Sequence, residues 1–212
     1  MAASRSHGGG RRTGRLGSPD LRRPAGRRRA ALGTAVNNRK GWAVEDSVRV
    51  YEQLKAAGIT VVSGLPDDWI VPLLTLIDND SEITYIPVAR ESEAIGVCAG
   101  AWFGGARAAA AMGIAGLLAS AHELVTLNLA HQIPLLVVAS LRGGIDDQLT
   151  YQVGQGLVGK PYLDALGIPH ITISDPAQLD QLPAAYTRAL LLKRPFVTFL
   201  AKHLLITKGG PT

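Results

Sequence analysis

The sequence predicts an α/β fold: a single doubly wound, mainly parallel six-stranded sheet with helices on both faces. Three observations carry this expectation. Six β-rich runs alternate with helix-patterned segments from Val44 onward, the order expected when crossover helices join parallel strands. Those runs are continuously apolar, as strands covered on both sides must be. A chain of 212 residues that is 47% hydrophobic can bury one full core, and a second folded domain is not expected.

The elements follow in order. "VEDSVRVYEQLKAAG" places Val44, Val48, Tyr51 and Leu54 on one helical face, with Gly58 as its stop. "TVVSGL" (60–65) reads as a buried strand, and "DDWIVPLLTLID" as a helix entered at Asp67. "ITYIPVA" (83–89) is the second strand, and helix "ESEAIGVCAGAWFGG" follows it. "RAAAAM" (107–112) is a strand of small residues, "LLASAHELVTLNLAHQ" a helix and "PLLVVAS" (134–140) the fourth strand. "QVGQGLVGKPYLDALG" is at least partly helical, and "HITIS" (170–174) is a strand. Asp175-Pro176 then supplies an N-cap with proline in the first turn, and "PFVTFLA" (195–201) closes the series.

Charge divides the chain. Residues 1–40 carry ten arginines, Lys40 and a single acid, Asp20, whereas the remainder has 11 basic and 16 acidic residues. Residues 1–40 are expected to be a disordered basic tail, because they are Gly/Pro/Arg-rich and cannot bury enough surface to offset chain entropy. Residues 41–212 are expected to form the folded domain. Arg-rich tails bind nucleic acid or serve as transit peptides, and a solvated extension is the plainer alternative. The tail lacks the apolar core of a secretory signal. Cys98 is the one cysteine, so no intrachain disulfide or cysteine metal cluster can form, which suits a reducing cytoplasm. The apolar run 108–121 is too short to span a membrane.

In open α/β sheets, function collects where strand carboxyl ends meet the following helices. Four such ends carry reactive or hydrogen-bonding residues: Ser63–Asp67, Arg90-Glu91, Met112-Gly113 and Ser140–Gly143. Glu91 begins a helix. Position alone allows either a first-turn glutamate favoured by the helix dipole or a partly buried acid–base group. Arg142 is either an anion-binding guanidinium or a structural partner of Asp146 or Asp147. "GQGLVG" (154–159) fits G-x-G-x-x-G but lacks the strand before it that dinucleotide binding needs, and reads as a glycine-rich loop.

The runs "SGLPDDWI", "ARESEAIGVCAGAWFGG", "SLRGG" and "YLDALGIP", in this order, resemble the sulfopyruvate and phosphonopyruvate decarboxylases. The resemblance is to the pyrimidine-binding (PYR) half of these thiamine-diphosphate (ThDP) enzymes and covers roughly Val44 to Leu204. It implies a PYR-domain fold. In ThDP enzymes a glutamate lies nine residues before a helical glycine. Glu91 and Gly100 have that spacing, whereas Glu93 does not. The resemblance therefore implies Glu91 as the catalytic carboxylate, contacting N1′ of the cofactor's aminopyrimidine and favouring the imino tautomer that takes the C2 proton. It further implies Pro66 and Gly116 as cofactor-binding residues, and Asp67, His122 and Arg142 as substrate contacts.

The chain contains no Gly-Asp-Gly, the family's diphosphate and Mg²⁺ motif, so no metal ligand is assigned here. The resemblance implies an alpha subunit of a split 2-oxo acid decarboxylase. A separate beta subunit, in an alpha2beta2 assembly, would supply the diphosphate and Mg²⁺ site. A non-catalytic partner-binding subunit and a ThDP carboligase subunit are the alternatives, and nucleic acid and membrane are not expected partners. One departure bears on substrate. Where the family carries a loop like Gln-Asn-Ser-Gly-x-Gly-Asn, this chain has "GIAGLLAS", Gly113 to Ser120, keeping Gly116 but exchanging amides and hydroxyl for apolar groups. Such an exchange implies a less polar substrate than sulfopyruvate, or lost activity.

Overall fold

The computed structural model describes residues 44–145, 147 and 149–206. The expected basic tail lies outside the described residues. Six strands form one sheet: β1 (Val61–Gly64), β2 (Thr84–Pro87), β3 (Ala108–Gly113), β4 (Leu135–Ser140), β5 (His170–Ile173) and β6 (Pro195–Leu200). Their order is β2-β1-β3-β4-β6-β5, and every neighbouring pair is parallel. The sheet is thus wholly parallel, not merely mainly so.

Alternation along the central strands divides the core into two layers, because successive strand side chains point to opposite faces. Ala109, Ala111, Leu136, Val138 and Leu200 point to one face. There they meet α1 (Val44–Ala56), α2 (Val71–Asp78), α7 (Gln181–Leu192) and α8 (Lys202–Leu205). Ala108, Ala110, Met112, Leu135, Val137 and Phe199 point to the other. That face is covered by α3 (Glu91–Phe103), α4 (Ile114–Ala119), α5 (Ala121–Glu123) with the π-helix Leu124–Leu129, and α6 (Thr150–Ala165). The strands read as unbroken apolar runs because each residue serves one of two cores. Cys98 lies in the second core, and burial pushes its thiol up to about 12.

Four local readings differ from expectation. On α1 the buried face is Ser47, Val50 and Leu54, continued by Ala57, while Val48 and Tyr51 flank it. The helix carries two overlapping apolar stripes, and packing against α2 and α7 selects the one that includes Ser47. The α2 helix begins at Val71 rather than at Asp67. Asp67 caps the preceding turn, its Oδ1 accepting from the backbone N–H of Trp69 (3.0 Å) and Ile70 (2.8 Å). Residues 114–116, left between the third strand and the helix expected from Leu117, are already helical directly after β3. The chain then bends, because the Ser120 hydroxyl donates to the Gly116 carbonyl (2.7 Å) and the Thr126 hydroxyl to the His122 carbonyl (2.8 Å). Such back-bonding competes with the helix ladder. Finally, "GQGLVG" is neither a nucleotide loop nor an irregular one: it lies inside α6.

Candidate functional site

The sheet order creates two crevices. The chain leaves β1 for β2 through α2 on one face, and leaves β3 for β4 through α4, α5 and the π-helix on the other. The carboxyl ends of β1 and β3 therefore flank a topological switch point, the usual ligand crevice of an open parallel sheet.

Glu91 and Glu93 share a helix start but do different work. Glu93, at the third helical position, accepts through Oε2 from the backbone N–H of Ala89 (3.0 Å) and Arg90 (3.2 Å). It satisfies donors that the start of α3 would otherwise orphan. Glu91 is the first residue of α3 and half-buried, and its carboxylate takes no hydrogen bond among the described residues. Its side chain lies across Gly116. A Cβ added to Gly116 would stand 2.2 Å from Glu91 Cγ and 2.5 Å from Cδ and Oε1. Glycine at 116 is thus the floor on which this carboxylate rests.

The other expected residues separate. Asp67 is occupied: its Oδ2 accepts from the Ser140 hydroxyl, so the carboxylate staples the turn after β1 to the end of β4. Pro66 is exposed in the turn just before it, and His122 is exposed on α5. Arg142 is the structural partner of Asp147. Its Nε and Nη2 donate to both carboxylate oxygens at 2.8 and 3.0 Å, and the two side chains are only 4% and 2% exposed. The Arg142 guanidinium holds the Asp147 carboxyl well below the usual carboxylate range, at about 2. It also lies 3.9 Å over the Trp69 ring. Ile114 and Leu117 point into the core, so only Ala115, Leu118 and Ala119 of the apolar run offer solvent-facing surface.

Gly100 faces outward, and a Cβ there would meet nothing within 4 Å, as would one at Gly96. Nothing among the described residues requires glycine at either place. Trp69, Lys160, Lys202 and His203 were missed by sequence reading. Lys202 and His203 open the helix one residue beyond β6, a strand end that inspection of the other carboxyl ends should have included. Among the described residues no group of three or more His, Cys, Asp or Glu is placed to hold a metal ion. No helix among them is long and apolar enough to cross a membrane.

These features define a doubly wound, wholly parallel α/β domain with a cradled carboxylate at its switch point. Its fold is similar to that of 2-oxoglutarate:ferredoxin oxidoreductase from Magnetococcus marinus, with a TM-score of 0.57 at 17% identity. That match covers 79% of this chain but 31% of the oxidoreductase chain. The sulfopyruvate decarboxylase alpha subunit of Methanococcus maripaludis is 32% identical over 136 residues, 64% of this chain and 81% of that subunit. The sulfopyruvate decarboxylase of Methanosarcina acetivorans is 28% identical over 160 residues, 76% of this chain and 41% of that protein. No protein-family model matches the chain. The chain belongs to the family of the sulfopyruvate decarboxylase alpha subunits.

Proposed function

We propose that the chain is the alpha subunit of a split, ThDP-dependent 2-oxo acid decarboxylase in which Glu91 acts on the cofactor's aminopyrimidine. One observation carries the reading: a half-buried carboxylate without an internal hydrogen bond, resting on Gly116 at the switch point. Its acceptor oxygens are uncommitted, and the missing Cβ at Gly116 is what lets the carboxylate lie there. These residues fit an aminopyrimidine. When bound, the cofactor supplies the electron sink for loss of carbon dioxide. Glu91 would hold a proton at N1′, and Glu93 would keep the helix start in place. Pro66 borders the crevice from the β1 side.

The partner arrangement follows from what this chain holds. It has no Gly-Asp-Gly in its sequence, so a beta subunit would hold the diphosphate and Mg²⁺, with the cofactor spanning the interface. The alpha2beta2 assembly belongs to the same reading, as does a cytoplasmic location suited to a lone thiol. The substrate is a small 2-oxo acid. Of the apolar run after β3, Ala115, Leu118 and Ala119 remain available to shape its preference.

Glu91→Gln and Glu93→Gln in the assembled complex test the assignment. Glutamine keeps the volume but not the charge, and charged hydrogen bonds contribute ~1.5–3 kcal/mol against ~0.5–1.5 for neutral ones. Loss of acid–base action costs a further ~10²–10⁴ in rate. Glu91→Gln should therefore abolish most decarboxylation and slow C2 proton exchange of bound ThDP. Glu93→Gln should lower stability more than exchange. Normal exchange in Glu91→Gln would place the catalytic carboxylate elsewhere.

A further inference from the structure

The first crevice lies between the carboxyl ends of β1 and β3, the second between those of β4 and β6. One side chain, Asp67, reaches across the strand ends that separate them. We propose that Asp67 is a positioning residue for Glu91, setting the start of α4 and so the glycine on which Glu91 rests. Its effect on turnover rests on the Glu91 reading; its hold on α4 does not.

The first support is the commitment of the Asp67 carboxylate. Oδ1 accepts from the backbone N–H groups of Trp69 (3.0 Å) and Ile70 (2.8 Å), and Oδ2 accepts from the Ser140 hydroxyl. Asp67 makes no ion pair among the described residues. Three donors from two separate places, the turn after β1 and the end of β4, therefore fix where it lies. Ser140 is fully buried, and Trp69 is 1% exposed. Donors so placed have no water to turn to, and leaving them unpaired is costly.

Contact is the second. Gly113 ends β3 and is the register partner of Ser140. A Cβ added to Gly113 would stand 2.6 Å from Asp67 Oδ2, 3.2 Å from Cγ and 3.3 Å from Cβ. The Asp67 side chain thus lies against the Gly113 backbone. Gly113 and Gly116 each carry a carboxylate side chain on a bare Cα: Asp67 on the one, Glu91 on the other.

Transmission is the third. Gly113 is the N-cap of α4, with an extended backbone and no side chain to cap the helix. The helix starts at the next residue, so the place of Gly113 sets that of Gly116 in the first turn. Gly116 is held from the other end by Ser120, whose backbone N–H (2.9 Å) and hydroxyl (2.7 Å) both donate to its carbonyl. The floor under Glu91 cannot shift without breaking one of these contacts.

Amide hydrogen exchange of the full chain, without cofactor, reads the hold on α4. The Leu117 and Leu118 amides bond to the carbonyls four residues back, Gly113 and Ile114. Asp67→Ala should speed exchange at both about tenfold more than at Ala189 on α7, where exchange follows overall stability; that factor is the loss of one charged hydrogen bond. Ser140→Ala, which keeps the Oδ1 cap, should speed the same two amides more than Ala189. Asp67→Asn keeps an oxygen for the cap and an N–H for the Ser140 oxygen, and should leave exchange near wild type. Unchanged Leu117 and Leu118 exchange in Asp67→Ala, or equal acceleration at all three amides, would overturn the proposal. In the assembled complex, Asp67→Ala should slow C2 proton exchange of bound ThDP by about 10²-fold, the cost of a misplacement near 1 Å. Asp67→Asn should restore most of that rate, and in a Glu91→Gln background Asp67→Ala should add little. Full additivity would show that Asp67 acts apart from Glu91. Collapsed C2 exchange in Asp67→Asn, with α4 protection intact, would assign Asp67 to the chemistry itself. Either result overturns the positioning role. If Glu91→Gln leaves C2 exchange normal, the Glu91 reading fails, and the amide exchange still decides whether Asp67 holds α4.

Discussion

At position 116 a single hydrogen stands where any other residue would place a carbon. Alanine there would put that carbon 2.2 Å from Glu91 Cγ, and the glutamate would have to leave. Gly116→Ala should therefore lower decarboxylation by about 10²-fold, the cost of a misplacement near 1 Å. Combining it with Glu91→Gln should cost little beyond Glu91→Gln alone, because residues acting through one contact are not additive. Full additivity in that cycle would show that Gly116 acts without Glu91. Asp147 gives a second residue-scale expectation. Its folded pKa of about 2 lies below the ~3.9 of a free aspartate. Its contribution is complete above pH ~4 and is lost as pH falls through about 2. Thermal melts should show a wild-type loss across that window that Asp147→Asn lacks. At neutral pH the variant leaves the Arg142 charge buried and unpaired, a cost of about 3–5 kcal/mol.

Among the elements, α3 has one wall given to the core and one left bare. Ala94, Ile95, Cys98 and Ala99 are buried, while Gly96, Gly100 and Phe103 are exposed, Phe103 at 72%. Glycine in a helix interior costs ~1 kcal/mol relative to alanine, so two of them facing open space suit close approach by a partner helix. Gly100→Ala should raise the melting temperature of the isolated chain. Gly100→Leu should leave the isolated chain folded but weaken assembly with the proposed partner subunit, read by co-purification or sedimentation. Intact assembly in Gly100→Leu would move the interface off α3. The elements also show what sequence could and could not reveal. Strands β3 and β4 were readable because two-sided burial makes every residue apolar. The α1 face was not, since two stripes met the period equally and only tertiary packing chose Val50 over Val48. Residues 114–116 were left outside the helix expected from Leu117 because small residues carry weak helical periodicity, and the family resemblance placed a loop there.

Across the whole molecule, strand order decides where chemistry can gather. Alternating strands and helices announced a parallel sheet, but not that β6 would insert between β4 and β5. That insertion makes the second crevice and brings Lys202 beside Trp69, 133 positions earlier in the chain. No local pattern encodes such a meeting. Glu91 was singled out in the sequence because the family resemblance carries a spacing of nine; its footing on Gly116 is visible only in three dimensions, where α3 meets α4.

The lone thiol has a practical consequence. Cys98 sits 1% exposed under the helix that begins with Glu91, and its high proton affinity keeps it un-ionised at neutral pH. An alkylating reagent can reach it only when α3 lifts from the sheet. The single cysteine is thus a native clock for the opening of α3, needing no engineered label. Addition of the proposed partner subunit and cofactor should slow that clock in proportion to how firmly the assembly clamps α3. A labelling rate indifferent to both would mean that assembly leaves α3 as loose as it found it.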